Sequence, residues 1–264
     1  MNIYLHEMRS NLKSLVLWCL GMAAVIAGGI GKYAGMAESW QSVSELVESM
    51  PRIVLALLGM DGIDMGTAAG FYAVVYLYIL VMSSVQAGTL GARIISKEET
   101  DKTMEFLFTK PVSRVRIILS KILAVFTCAL ILNCFSLAVS LTMLNAIKER
   151  WLAGNLRVMS LWLMVVQVLF IFLGTALASV GKKPSASDNR AALIVLAAYI
   201  FYILSNLSEY LEFLKFFTPF KYFEPGAILT GNRPGAISAL IVVLVAGFFA
   251  ALTFMYFPRR DLTA

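Results

Sequence analysis

Residues Ile95–Arg114 read ISKEETDKTMEFLFTKPVSR. Eight charged side chains fall in these few turns, yet the stretch sits between two long apolar runs. GFYAVVYLYILVMSSVQAGTLGARI precedes it at 70–94, and VRIILSKILAVFTCALILNCFSLAVSLTML follows at 115–144. The chain is 59% hydrophobic and 14% charged, whereas soluble domains carry roughly 25% charged residues. A helix needs about 20 mostly apolar residues to cross a bilayer. Six blocks meet that requirement, at about 14–31, 68–91, 117–144, 157–180, 191–207 and 235–257. None alternates in polarity, so their backbones satisfy themselves as helices and not as barrel strands. The fold expected is all-α: one transmembrane domain over residues 1–264, with six transmembrane helices.

Basic residues before the first block raise the question of a secretory signal. The run continues to spanning length without a small-x-small cleavage site, so an uncleaved first span is expected. Cys19, Cys128 and Cys134 all lie inside apolar blocks, where reduced thiols act as small hydrophobes.

Six spans put both termini on one side, and basic residues choose the side. With cytoplasmic termini, most of the 22 Lys and Arg residues fall in inner segments. The outer loops instead collect Glu38, Glu45, Glu48, Asp61, Asp64, Glu149, Glu209, Glu212 and Glu224. The expected location is a multi-pass cell membrane protein with both ends cytoplasmic. Its net charge of +6 is then membrane charge bias, and no nucleic-acid partner is expected.

Between the spans, several segments carry patterns of their own. MNIYLHEMRSNLKS repeats apolar residues at helical spacing and reads as a short amphipathic helix in the cytoplasmic interface. In the first outer loop, SVSELVESMPRIVLALLGM predicts helical pieces interrupted at Pro51. The last outer connection alternates aromatic and charged residues around Pro219, Pro225 and Pro234. Aromatics favour membrane interfaces, so short helices dipping into the outer leaflet are expected there.

The apolar blocks contain no Asp or Glu, which disfavours an ion-coupled secondary transporter. Gln86, Asn133 and Gln167 are the main polar residues within spans, read either as interhelical hydrogen-bonding groups or as lining of a substrate path. There is no phosphate-binding glycine loop, no Cys/His cluster with metal spacing, and no nucleophile–base pair. The chain reads as no enzyme, with no metal and no catalytic residues. Energy for uphill movement would have to come from a partner.

Within the opening stretch, a helix from about Lys97 to Thr109 would place Glu98, Asp101 and Glu105 on one stripe and end before Pro111. A two-faced helix of this kind suits docking into a cleft on a soluble protein; a solvated loop is the plainer reading.

EETDKTMEFLFTKPVSR resembles the signature of the ABC type-2 permease family, an E-x-x-x-[GK]-T-x-E-x-L-x-x-x-P-[VI]-S-R run joining spans two and three. Thr103, Glu105, Leu107, Pro111, Ser113 and Arg114 match it, with Glu98 and Glu99 at its opening and Lys102 where glycine is commoner. SMPRIVLALLGMDGIDMGTAAGF and FTPFKYFEPGAILTGN resemble the family's segments before spans two and six. The resemblance implies the membrane subunit of an ATP-driven exporter, paired with a second permease copy or a paralogue and resting on separate ATP-binding subunits. The chain itself would bind no cofactor; ATP and magnesium belong on the partner, and lipid surrounds the spans. The charged segment becomes a cytoplasmic coupling helix contacting the ATPase through Glu98, Glu99, Thr103, Glu105 and Arg114, with the N-terminal helix beside it. The aromatic segment becomes short outer re-entrant helices, with Phe217, Pro219, Phe220 and Tyr222 at an outer gate. The alternative is a non-transporting membrane module of an ATPase complex, such as a sensor or self-resistance factor.

Overall fold

The computed structural model describes residues 3–36, 45, 47, 49–101, 113–181, 186–229, 231 and 234–257. Within them the chain is helical: α1 Ile3–Gly35, α2 Arg52–Leu58, α3 Ala68–Thr100, α4 Arg114–Ala146, α5 Ala153–Val180, α6 Ser187–Leu207, α7 Pro219–Tyr222, α8 Pro225–Leu229 and α9 Ala236–Tyr256. Six of these are long and apolar enough to cross a membrane: α1, α3, α4, α5 with its preceding 3-10 turn from Arg150, α6 and α9. No strand occurs among the described residues.

The spans are longer than the apolar blocks. α1 continues from Ile3 without a break, so the N-terminal amphipathic stretch is the first turns of span one and not a separate helix. Nothing between Ile3 and Leu20 breaks a helix, since no Gly or Pro occurs there. α3 likewise runs on through Lys97–Thr100. The helix expected to open at Lys97 is therefore, over these four residues, the end of span two. The remainder, from Lys102 to Thr109, lies outside the described residues.

Local sequence sets the other boundaries. Thr67 caps α3 by accepting a hydrogen bond from Gly70 N at 3.1 Å. Ser113 caps α4 by accepting from Arg116 N at 3.3 Å. α2 begins directly after Pro51 and closes at Gly59, whose φ of +71° favours glycine. It is tied down by Tyr78 Oη, which donates to Leu58 O at 2.9 Å.

α3 and α5 form the central pair, with α9 on α5, α6 on α3, and α1 across α3 and α4. In lipid, apolar surface gains little by moving from tails to protein, and close backbone approach at small residues does more. A Cβ on Gly174 would stand 2.1 Å from Gly88 O and 2.8 Å from Ala92 N, and one on Gly91 would meet Ile171 O at 2.5 Å. The two central helices touch backbone to backbone. Gly174→Val is expected to destabilise the protein by about 1–3 kcal/mol or more through overpacking. Gly154→Ala, where an added Cβ has nothing within 4 Å, should show no such loss. Thermal unfolding in detergent compares the two.

Candidate functional site

Four charged side chains converge where the N-terminal turns of α1, the last turns of α3 and the early turns of α4 meet. Lys121 on α4 points its ammonium at Glu7 Oε1 on α1 at 2.9 Å, at the carboxylate of Glu98 on α3, and at Ile94 O at 2.9 Å. Lys97 on α3 pairs with the other oxygen of Glu7. The order Lys97–Glu7–Lys121–Glu98 alternates in sign and sums to zero. The side chains of Lys121 and Glu7 are 1% and 2% exposed, and that of Glu98 is 12% exposed. Taking such a charge out of water costs several kcal/mol unless partners replace its hydration; here the ammonium meets two carboxylates and a carbonyl.

Acids at Glu98 and Glu99 would suit the positive N-terminal end of a new helix, but they lie at the negative C-terminal end of α3. Lys97 and Lys121 supply the compensating positive charge. Glu98 is accordingly committed to a contact inside the chain. Of the other residues assigned to the coupling surface, Glu99 is half-buried in the last turn of α3 and Arg114 is exposed at the start of α4. Thr103 and Glu105 lie outside the described residues.

Sequence reasoning missed Glu7 and Lys121. Both sit at the edges of apolar blocks, where charge is unremarkable, and only the convergence of three helices makes them partners. Around them, Tyr4 Oη donates to Thr127 Oγ1 at 3.2 Å, and Cys128 Sγ lies 3.8 Å from Met8 Sδ.

Beside this junction, a cleft of about 540 Å³ is lined by Lys13, Arg93, Lys97, Asp101 and Asp188, among others. A deeper pocket of about 120 Å³ shares Asn11, Ser14, Arg93 and Asp188 with it and reaches Gln86, Thr89 and Cys128. Gln86 Oε1 is buried without a hydrogen-bond partner among the described residues.

The other two polar span residues come together elsewhere. Asn133 on α4 donates to Ser160 O at 2.9 Å and to Gln167 Oε1 at 3.4 Å, and accepts from Ser160 Oγ at 2.7 Å. These bonds join α4 to α5.

At the opposite end, the chain after α6 folds into a 3-10 segment, Glu209–Phe217, followed by α7 and α8. Pro219 and Pro225 each occupy the first helical position, where a missing N–H costs nothing. The residues assigned to the gate divide. Pro219 and Phe220 are buried, Phe220 stacking on Phe170 at 5.8 Å and meeting Tyr199 edge-on at 6.2 Å. Tyr222 is half-buried, whereas Phe217 is exposed together with Tyr210, Phe213 and Phe216. Phe223 stacks on Trp162 at 4.9 Å. Polar ties hold this cap to its neighbours. Lys221 reaches Asn206 Oδ1 at 2.6 Å and Glu224 at 3.0 Å, while Arg52 reaches Asp61 and Asn206 O, each at 3.3 Å. Next to the cap lies a cavity of about 390 Å³ lined by Asp61, Asp64, Tyr202 and Glu224, among others.

Six spanning helices, a charged junction at one end and an aromatic cap at the other define a polytopic helical membrane protein. The chain belongs to the ABC-2 transporter family: the model described as "ABC-2 family transporter protein" matches residues 1–262. No curated protein matches the sequence. The family makes it a permease-type membrane subunit of an ABC transporter.

Asn133→Ala removes the partner of Ser160 and Gln167 from a buried site. We expect a loss of about 1–2 kcal/mol in unfolding free energy, the scale of interhelical hydrogen bonds in model membrane systems, read from denaturant titration in detergent micelles.

Proposed function

We propose that the chain is the membrane-spanning half of an ATP-driven exporter and takes its energy from a separate ATP-binding subunit. The observation that carries this is the family match across residues 1–262 of a six-span chain. In this reading the segment joining α3 to α4 is the coupling element on the cytoplasmic side. Glu99, Thr103, Glu105 and Arg114 contact the ATPase, and Glu98 anchors the base of the segment. Two permease chains, identical or paralogous, form the membrane domain, with both termini cytoplasmic and the single transmembrane domain extending over residues 1–264. The cleft between α1, α3 and α6 is the entry side for cargo, and Gln86 is the path residue at its inner end. The aromatic cap with Phe217, Pro219, Phe220 and Tyr222 closes the outer mouth, its exposed rings resting among outer-leaflet headgroups. ATP and magnesium are held by the partner.

The test is co-purification with an ATP-binding subunit from the same cell. Wild-type chain should retain the subunit, and Glu99→Arg combined with Glu105→Arg should reduce the retained amount at least about tenfold, the effect of about 1.4 kcal/mol of lost contact energy. Equal retention by both chains would remove the charged segment from the interface.

A further inference from the structure

The ion chain occupies the base of the proposed coupling segment, and its geometry says which helices must move together. Glu98 lies two residues before the end of α3, and Lys121 lies in the second turn of α4. Their contact clamps the two arms from which the segment 101–113 emerges. Lys121 also holds Glu7, and so the same ammonium brings a third helix into the clamp.

α1 depends on this link more than its neighbours do. Its buried residues are Glu7, Leu15, Met22, Ile26 and Ile30, a single narrow stripe. The four apolar members hold α1 by dispersion contacts that are individually weak. The Glu7 carboxylate holds it more firmly, since a shift of a few ångströms along the stripe would strip a buried charge of Lys97 and Lys121 together. Tyr4 and Met8 add weaker contacts at the same level. α1 is a continuous 33-residue helix, so displacement at Glu7 is carried along its length. Its far end packs Tyr33 on Phe71 at 5.6 Å and fits Gly29 around Val75.

We propose that Lys121 is a positioning residue for transport. It makes α1 follow any displacement of the α3–α4 connection, so that a push on the charged segment opens the opposite end of the bundle through α1. This rests on the permease reading above, and it adds that the force leaves the connection through Glu98, Lys121 and Glu7 and reaches α1 rather than staying in the two helices the connection joins.

The experiment uses the permease–ATPase complex in lipid nanodiscs, with the native cysteines replaced. Spin labels are attached at Lys32→Cys on the far end of α1 and Ile237→Cys at the start of α9, both exposed. Labelled chains are diluted with unlabelled ones, and distances are measured by pulsed electron resonance without nucleotide and after trapping with Mg-ATP and vanadate. Comparison is restricted to complexes with equal trapped nucleotide.

The wild-type distance should shift by about 2–5 Å, the range from a helix slide to a one-turn step. Glu98→Gln with Lys121→Met removes one charge of each sign, leaves the Glu7–Lys97 pair in place, and should lose most of that shift. Lys121→Arg, which keeps the bridging cation, should retain it. A purely structural role would lower thermal stability without separating these two variants in the trapped state. A full shift in the neutral double variant overturns the proposal and leaves the permease reading intact. No shift in wild type, despite trapped nucleotide, overturns the proposal that α1 is driven, while the ATP-driven reading answers to the co-purification test. Should the double variant fail to assemble, Glu98→Asp keeps both charges and draws the carboxylate back by one methylene; a reduced shift there supports the linkage, and a full shift overturns it.

Discussion

An ammonium group that is almost completely buried near the end of an apolar helix cannot stand alone, and this constraint organises one end of the protein. Lys121 is held by Glu7, Glu98 and Ile94 O. Each contact comes from a helix other than its own, and the two carboxylates come from two different helices. The energetic case for such a cluster is not that ion pairs beat apolar packing; replacing a buried pair by well-packed apolar groups is often neutral or favourable. What the charges contribute is a defined register. A shift of α1 along its neighbours would take the Glu7 carboxylate away from both Lys97 and Lys121.

The remainder of the bundle is built to be rigid where this end is jointed. α3 and α5 meet backbone to backbone at Gly88, Gly91 and Gly174, while Asn133, Ser160 and Gln167 fasten α4 to α5. At the far end, Phe220 and Phe223 are driven into the bundle against Phe170, Tyr199 and Trp162, and Lys221, Asn206 and Arg52 close the rim. The central pair is locked by close backbone contact, while the peripheral α1 is tied to α3 and α4 through the paired Glu7 and to α4 through Tyr4.

Much of the architecture was legible because membrane insertion writes itself into composition. Six blocks of spanning length can be read from hydropathy alone, since lipid demands continuous apolar helices. Pro219 and Pro225 likewise marked the short helices of the cap through their fixed backbone angle. The helix ends were less legible. Charge in the last turns of α3 looks like the start of a soluble segment, because pattern reading cannot tell a charge facing water from one facing a countercharge on another helix. Glu7 was hidden for the same reason, lying in a mixed polar stretch that resembles an interfacial helix. Gln86, Asn133 and Gln167 were found as polar span residues. Which of them met which depended on interhelical geometry: Asn133 and Gln167 pair, and Gln86 lines a separate pocket. Thr103 and Glu105 lie outside the described residues, so their part in the motif stands on sequence alone.

The central claim is that Lys121 and Glu98 act as one unit in joining the helices, and a double-mutant cycle measures that directly. Unfolding free energies would be taken in detergent for wild type, Lys121→Met, Glu98→Gln and the double variant. Each single change leaves a buried charge short of a partner, at a cost of about 3–5 kcal/mol where a pair is fully buried. The account predicts that the double variant is more stable than the sum of the single losses requires, with an interaction energy within about 0.5–3 kcal/mol. Additive losses, with no interaction between the two positions, would contradict it.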